Sequence, residues 1–269
     1  MIISAESESV RYTGRWFVGQ KAQIPANDGF VELVSAQTTA PGAYFELAFV
    51  GRECTLMFDV NMNIEPRLHI YIELDGVGRI ECAVDDFIRV EAAKAGNHVI
   101  KVIYKSSMEA QPRWQLPLIS KITFIGAEAD AQGKLPCDNR DIIEFIGDSI
   151  TEGIWSNEYG QVPRAPYNAR QKNMVYLNDS TATYAYLTAE ALDMRPVIMG
   201  YGSVGITRAG HGGVPKVYDA YPYCYEDAPM QPAGAKIIVI NHMFLIIQRD
   251  LFIIPVVETL ILIKKNIHI

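Results

Sequence analysis

The sequence is poor in cysteine, and the few it has are badly spaced for metal or disulfide chemistry. Cys54, Cys82, Cys137 and Cys224 stand far apart in a chain of 269 residues, and none belongs to a C-x-x-C pair. This argues against a zinc site, and a chain of this length can build a core without a disulfide framework. Isolated thiols fit a reducing compartment. Positive charge is also scarce, with 24 Lys and Arg against 31 Asp and Glu and a formal net charge of −7. That disfavours nucleic acid or an anionic membrane as the main partner and leaves neutral ligands such as sugars open. The most apolar stretch, Leu251 to Ile263, is short and interrupted by Pro255, so it does not read as a membrane span. The N-terminus, Met1-Ile2-Ile3-Ser4-Ala5-Glu6-Ser7-Glu8, lacks a basic leader and a long apolar segment. It reads as no signal peptide, which favours a cytoplasmic location over a mature secreted form.

What is present is ordinary globular material, with 49% hydrophobic and 20% charged residues, enough for one large or two ordinary domains. The first half is a series of short apolar strands. Candidates are Phe30 to Val34, Tyr44 to Phe49, Cys54 to Val60, Arg67 to Leu74, Phe87 to Val90, His98 to Tyr104 and Ile119 to Phe124. Gly51-Arg52-Glu53 and Asp75-Gly76 read as turns between them. In Arg67 to Leu74 the apolar Leu68, Ile70 and Ile72 alternate with His69, Tyr71 and Glu73. Turn residues recur about every ten positions, the pattern of a β-sandwich or jelly roll. Trp16, Tyr44, Tyr71, Tyr104 and Trp114 are candidates to stack on sugar rings, against the alternative that they are core aromatics. His69 and His98 lie in strands and read as structural.

Residues 127–140 lose this periodicity and read as a linker between a β-domain at 1–126 and an α/β domain at 141–269. Ile142 to Ile146 is apolar at nearly every position, as in a strand buried on both faces of a parallel sheet. It stops at Gly147-Asp148-Ser149. A glycine permits a tight turn there, and the hydroxyl that follows meets unpaired backbone N–H groups at a strand-to-helix junction. The competing interpretation is that Asp148 and Ser149 only cap the next element. Ser156 to Asn178 reads as a surface loop over the site. A helix capped by Ser180 or Thr181 follows through Asp193, with Tyr184, Leu187, Ala191 and Leu192 on one face. Arg195 to Gly200 and Lys236 to Asn241 are two further strands of a doubly wound sheet. Such sheets bind ligands at the carboxyl ends of their strands, where Ser149, Gly202, Gly205 and Asn241 would all lie.

The string Ile146-Gly147-Asp148-Ser149-Ile150-Thr151-Glu152-Gly153 resembles the first block of the SGNH (GDSL-like) hydrolase superfamily, and Gly200-Tyr201-Gly202-Ser203-Val204-Gly205 is similar to its second. A β-sandwich placed before such a domain looks like carbohydrate esterase family 2. The resemblance implies an N-terminal jelly roll followed by a three-layer α/β esterase domain. It implies a serine esterase that deacetylates a carbohydrate without metal or organic cofactor. Ser149 would be the nucleophile and would donate one oxyanion N–H, Asp148 would support the motif, and Gly205 would supply a second N–H. Gly202 and His211 become candidates for substrate contact.

The pattern breaks after Asn241. The family's Gly-x-Asn-Asp block should fall on Met243 to Ile246, where no asparagine stands. No Asp-x-x-His follows: His268 is a candidate base, but Lys265 occupies the place of the acid. His211, in the loop after Gly205, is a second candidate base, against the alternatives of a surface histidine or a substrate contact, and His242 is a weaker candidate still. The expectation is a hydrolase domain whose C-terminal part is missing or altered, as a frameshift or truncated gene would make it. Its apolar edge would then invite homo-oligomers. The alternative function is a catalytically impaired, carbohydrate-binding pseudo-esterase.

Overall fold

The computed structural model describes residues 1–26, 29–157, 174–230, 234–241 and 259–263. The first half forms one antiparallel sheet of nine strands: β1 (Ile2–Ser4), β2 (Val10–Thr13), β3 (Phe17–Ala26), β4 (Gly29–Thr38), β5 (Tyr44–Phe58), β6 (His69–Leu74), β7 (Val77–Ala83), β8 (Phe87–Ser106) and β9 (Ile122–Gln132). The order is β3-β4-β9-β5-β8-β6-β7, with β1 on β9 and β2 on β5.

The paired stretches Tyr44 to Phe49 of β5 and Val99 to Tyr104 of β8 set the arrangement because they put apolar side chains on both faces of the sheet. Phe45, Leu47 and Phe49 alternate with period two into a core shared with Ile100, Val102, Tyr104, Ile70 and Phe124. Tyr44 and Ile103, one residue out of phase, join a second cluster with Ile143, Phe145, Tyr186 and Ile198 of the second half. The β-sheet therefore carries the second half of the chain on its other face. Burying each such side chain contributes roughly 1.5–3 kcal/mol.

The structure differs from the sequence reading in several strands. Gly51-Arg52-Glu53 is not a turn. β5 runs through it, with a register shift between Gly51 and Glu53 and a φ of 135° at Gly51, so the glycine makes a bulge. β8 likewise joins two segments read as separate. β3 and β7 were not expected at all. β7 is exposed at almost every position and has no alternation to read. The Asp75-Gly76 turn does connect β6 and β7, with φ of 55° and 70°, and Leu68, Ile70 and Ile72 are buried on one face. His69 and His98 are buried in their strands, bonded to Glu81 and Asp75 at 2.7 Å each.

Residues 127–132, read as the start of the linker, are the second half of β9. The connection that follows is tightened by Asp138, whose carboxylate accepts from the Arg140 backbone N–H (3.1 Å), Nε (2.9 Å) and Nη2 (2.7 Å). The Arg140 hydrogen bonds hold the Asp138 carboxyl down at about 2. A carboxyl lowered in the folded state stabilises above its unfolded value and loses that contribution as pH falls through the folded one. Urea midpoints should therefore place the wild type above Asp138→Asn at pH 5, with the difference vanishing near pH 2.

The second sheet has the order β11-β10-β14-β15. Its centre is β10 (Ile142–Gly147), flanked in parallel by β11 (Arg195–Gly200) and β14 (Ile237–Asn241). β12 (Tyr223–Tyr225) and β13 (Ala228–Pro229) form a separate hairpin. β15 (Thr259–Ile263) pairs antiparallel with β14, a strand that the tail's irregular pattern had not predicted. The helices are short: α1 (Ser149–Glu152), α2 (Met174–Leu177), α3 (Tyr184–Ala191) and α4 (Val217–Ala220). The cap of α3 is Thr183, whose Oγ1 accepts the Tyr186 N–H at 3.2 Å, rather than Ser180 or Thr181. Its inward face is Ala185, Tyr186 and Ala189, while Leu187 and Leu192 are exposed. Alanines four residues apart allow the helix to lie close on the sheet, and this outweighs the larger side chains. The end of the expected surface loop is also different, because Met174, Val175 and Leu177 of α2 are buried. The Val175 carbonyl accepts from Lys105 Nζ (3.2 Å) and Ser106 Oγ (2.5 Å) of β8.

Candidate active site

The site is built where β10 and β11 end together. Gly147 and Gly200 are register partners, so the residues after each leave the sheet at the same edge. A Cβ on Gly147 would lie 2.1 Å from Thr151 Oγ1, and one on Gly200 would lie 2.5 Å from the Glu152 backbone N. The glycines let α1 sit directly on both strand ends. In Gly200→Ala the added methyl meets backbone, so α1 must move. The expected cost is about 1–3 kcal/mol, read as a lower urea midpoint with an unchanged slope.

Ser149 is the first residue of α1 and is half-buried. Its N–H belongs to the first turn, which has no intrahelical acceptor. Asp148 is the N-cap, accepting the Ile150 N–H at 3.0 Å. Gly153 closes the turn in the left-handed region at φ 93° and donates to the Ser149 carbonyl at 3.0 Å. The hydroxyl is thus presented by one turn of helix fixed at both ends.

A buried ion pair fastens this turn to its surroundings. Glu152 and Arg113 are almost fully buried and hydrogen-bonded to each other. The second Glu152 oxygen accepts the Gly202 N–H at 2.7 Å. Burial pushes the Glu152 carboxyl up, and Arg113 opposes that shift. Arg113 also donates to the Glu109 carbonyl at 2.6 Å, and its N–H reaches the Gly212 carbonyl at 2.9 Å. The segment after β8, α1 and the Gly202–Gly213 loop are locked together in this way. A second buried arginine, Arg15, donates to the Tyr221 and Tyr223 carbonyls at 2.7 and 2.6 Å and lies 3.7 Å from Glu144 on β10.

The second glycine-rich turn reaches the same edge, but its backbone is already engaged. Besides donating to Glu152, Gly202 accepts the His211 N–H at 2.7 Å. The Gly205 N–H donates to the Arg208 carbonyl at 3.0 Å. His211 is exposed on one side and faces a carboxylate on the other, with Nδ1 3.0 Å from Glu109 Oε1. The end of β14 contributes Asn241 beside Gly147. Tyr184 donates to or accepts from Thr151 Oγ1 at 2.9 Å, and burial raises its pKa while Thr151 and Asn241 lower it.

The structure brings Asp148, Ser149, Gly202 and His211 to one edge through the Glu152–Gly202 and His211–Gly202 hydrogen bonds, and Gly205 follows Gly202 on the same loop. His242, Met243 to Ile246, Lys265 and His268 lie outside the described residues. Among the sugar-stacking candidates, Trp16, Tyr44, Tyr104 and Trp114 are buried core residues and present no face to solvent. Tyr71 is half-buried and donates to Asp179 at 2.7 Å. Sequence reasoning passed over Arg113, Glu109 and Ser203, and gave Glu152 no role. Glu152 and Ser203 each stand inside one of the two strings that carry the resemblance, whereas Arg113 and Glu109 have no such local signal. Among the described residues, no group of three His, Cys, Asp or Glu is placed to hold a metal ion, and no helix is long and apolar enough to cross a membrane.

The architecture is α/β, mostly sheet, with a serine at the carboxyl edge of a parallel layer. No family model matches the chain. It is 30% identical over 214 residues to an acetylxylan esterase / glucomannan deacetylase of Cellvibrio japonicus, a match covering 75% of this chain and 51% of that protein. The chain therefore spans about half the length of the curated relative it matches. In fold it is similar to a family two carbohydrate esterase from Cellvibrio japonicus, with a TM-score of 0.65 at 17% identity over 91% of this chain and 67% of that one. It is also similar to a carbohydrate esterase family 2 enzyme with a carbohydrate binding domain from Corynascus thermopiles (Myceliophthora fergusii), with a TM-score of 0.60 at 20% identity over 88% and 65%. In sequence the chain thus resembles an acetylxylan esterase, and in fold it resembles family 2 carbohydrate esterases.

Proposed function

We propose that the chain is a serine esterase of the SGNH class that removes acetyl groups from a carbohydrate. The observation that carries this reading is the placement of Ser149, presented by a capped helical turn directly past the central parallel strand. Ser149 attacks the acetyl carbonyl, and its own N–H is one donor to the developing oxyanion. Gly205 is the second donor, and it must exchange its bond to the Arg208 carbonyl for one to substrate. The strands through β9, which ends at Gln132, form the β-domain read as a jelly roll, residues 133–140 the connection, and the chain from 141 onward the esterase domain. The two halves act as one unit, supported by the shared cluster around Tyr44 and Phe145 and by the Arg113–Glu152 pair.

A second reading is a carbohydrate-binding pseudo-esterase. It is favoured by the engaged Gly205 N–H. Acetate release from acetylated xylan by the purified chain separates the two. The esterase reading expects release above the uncatalysed rate. Binding of the polysaccharide with no release would select the pseudo-esterase.

A further inference from the structure

The loop after β11 carries a second set of chemical groups that the proposed reaction leaves idle. Ser203 Oγ lies 3.3 Å from His211 Nε2, and His211 Nδ1 lies 3.0 Å from Glu109 Oε1. Hydroxyl, imidazole and carboxylate are thus connected in line through the two different ring nitrogens. A carboxylate at Nδ1 holds the proton on that nitrogen and leaves Nε2 as the acceptor facing the serine.

The backbone holds this arrangement in place. Ser203 follows β11 with a φ of 61°, a conformation uncommon for a residue with a Cβ and one that recurs where a strand end presents a side chain. The His211 N–H is fixed to the Gly202 carbonyl at 2.7 Å, and the Glu109 carbonyl is fixed by Arg113 at 2.6 Å. A Cβ on Gly202 would fall 1.8 Å from Glu109 Oε1. The missing side chain is what lets the carboxylate pass and reach the imidazole. Glu109 is largely shielded, whereas His211 is about half exposed (47% of its side chain), so the open end of the line faces solvent.

The geometry points to a second acyl-transfer centre, with Ser203 as nucleophile, His211 as general base and Glu109 as the residue that positions the imidazole. Ser203 Oγ forms a bond to the acyl carbon while its proton passes to His211 Nε2. The ester C–O bond breaks and the leaving alkoxide takes that proton. Water then attacks the acyl-serine with the same base, releasing a carboxylic acid and restoring the hydroxyl. The N–H groups of Val204 and Gly205, which follow the serine, donate to the Tyr201 and Arg208 carbonyls at 3.0 Å each. With those donors engaged, the acyl groups that fit are activated ones on good leaving groups, such as aryl esters, which depend less on oxyanion stabilisation. This centre does not rest on Ser149 or on the sugar-deacetylase reading.

The test is covalent labelling of the full chain with a fluorophosphonate, with the modified serine located by peptide mass spectrometry. Label on Ser203 is expected, and it should persist in Ser149→Ala. His211→Ala should slow labelling of Ser203 by on the order of 10²–10⁴-fold, and added imidazole should restore part of the rate. Glu109→Gln should slow it about tenfold or more, with recovery in Glu109→Asp, a pattern that a purely structural carboxylate would not give. A folded protein labelled only on Ser149, or on neither serine, overturns the proposal. So does labelling of Ser203 that is indifferent to His211. Label on Ser203 with none on Ser149 would instead remove the role given to Ser149 and leave this centre standing.

Discussion

Arg113→Met should destabilise the protein by about 3–5 kcal/mol at neutral pH, because it leaves a buried carboxylate without its counter-charge. Arg113 and Glu152 have almost no exposed surface, so water cannot replace the lost partner. Methionine fills much of the volume but offers no donor to Glu152 or to the Glu109 carbonyl. The sign of the pH dependence follows from the carboxyl. Its pKa is already raised in the folded protein by burial, and removing Arg113 raises it further. The folded variant then binds more protons than the unfolded chain, so its deficit is full above the folded pKa and shrinks as pH falls toward the ordinary carboxylate value. Urea unfolding at pH 7.5 and pH 5 should show the gap to wild type narrowing at the lower pH. The double variant Arg113→Met/Glu152→Gln should recover much of the loss, since an amide oxygen can still accept the Gly202 N–H and carries no charge. Because the pair joins α1 to the loop at Gly202, the single variant should also lose whatever activity depends on Ser149.

How much of this was legible in the sequence depends on whether the information was local. The strand over Ile142 to Ile146, its stop at Gly147-Asp148-Ser149 and the two further parallel strands are carried by apolar runs and glycines a few residues apart, and they could be read directly. The alternation of Leu68, Ile70 and Ile72 and the Asp75-Gly76 turn are local in the same sense. The errors arose where distant pairing overrules local signals. Gly51-Arg52-Glu53 has turn composition, but the neighbouring strands β8 and β9 keep β5 extended through it. β7 gains its structure from β6 and has no pattern of its own. The face of α3 could not be chosen from hydrophobicity, because close packing favoured Ala185 and Ala189 over Leu187. At the site, Arg113 and Glu152 are 39 residues apart and Glu109 and His211 are 102 apart. Nothing in either neighbourhood announces the partner. Glu144, the one charge in an otherwise apolar strand, was the clearest available hint that buried ion pairs hold the two halves together.

Ser149→Ala has the largest expected effect on chemistry. Removing the hydroxyl removes the bond-forming atom, and no neighbouring group can stand in for it, since Asp148 accepts the Ile150 N–H and the Thr151 hydroxyl is buried against Tyr184. The fold should be unaffected, because Ser149 contributes to α1 through its backbone carbonyl rather than through the hydroxyl. Loss of a nucleophile that works as part of a unit costs on the order of 10³-fold or more. The substrate must be an acetylated polysaccharide rather than an activated aryl ester, so that Ser203 does not mask the loss. The decisive measurement is acetate release from acetylated xylan by wild type and Ser149→Ala at equal concentration, with matched circular dichroism spectra. Release by the wild type that falls to the uncatalysed rate in the variant is the expected result. Equal release by the two proteins would contradict the assignment of Ser149 as the nucleophile.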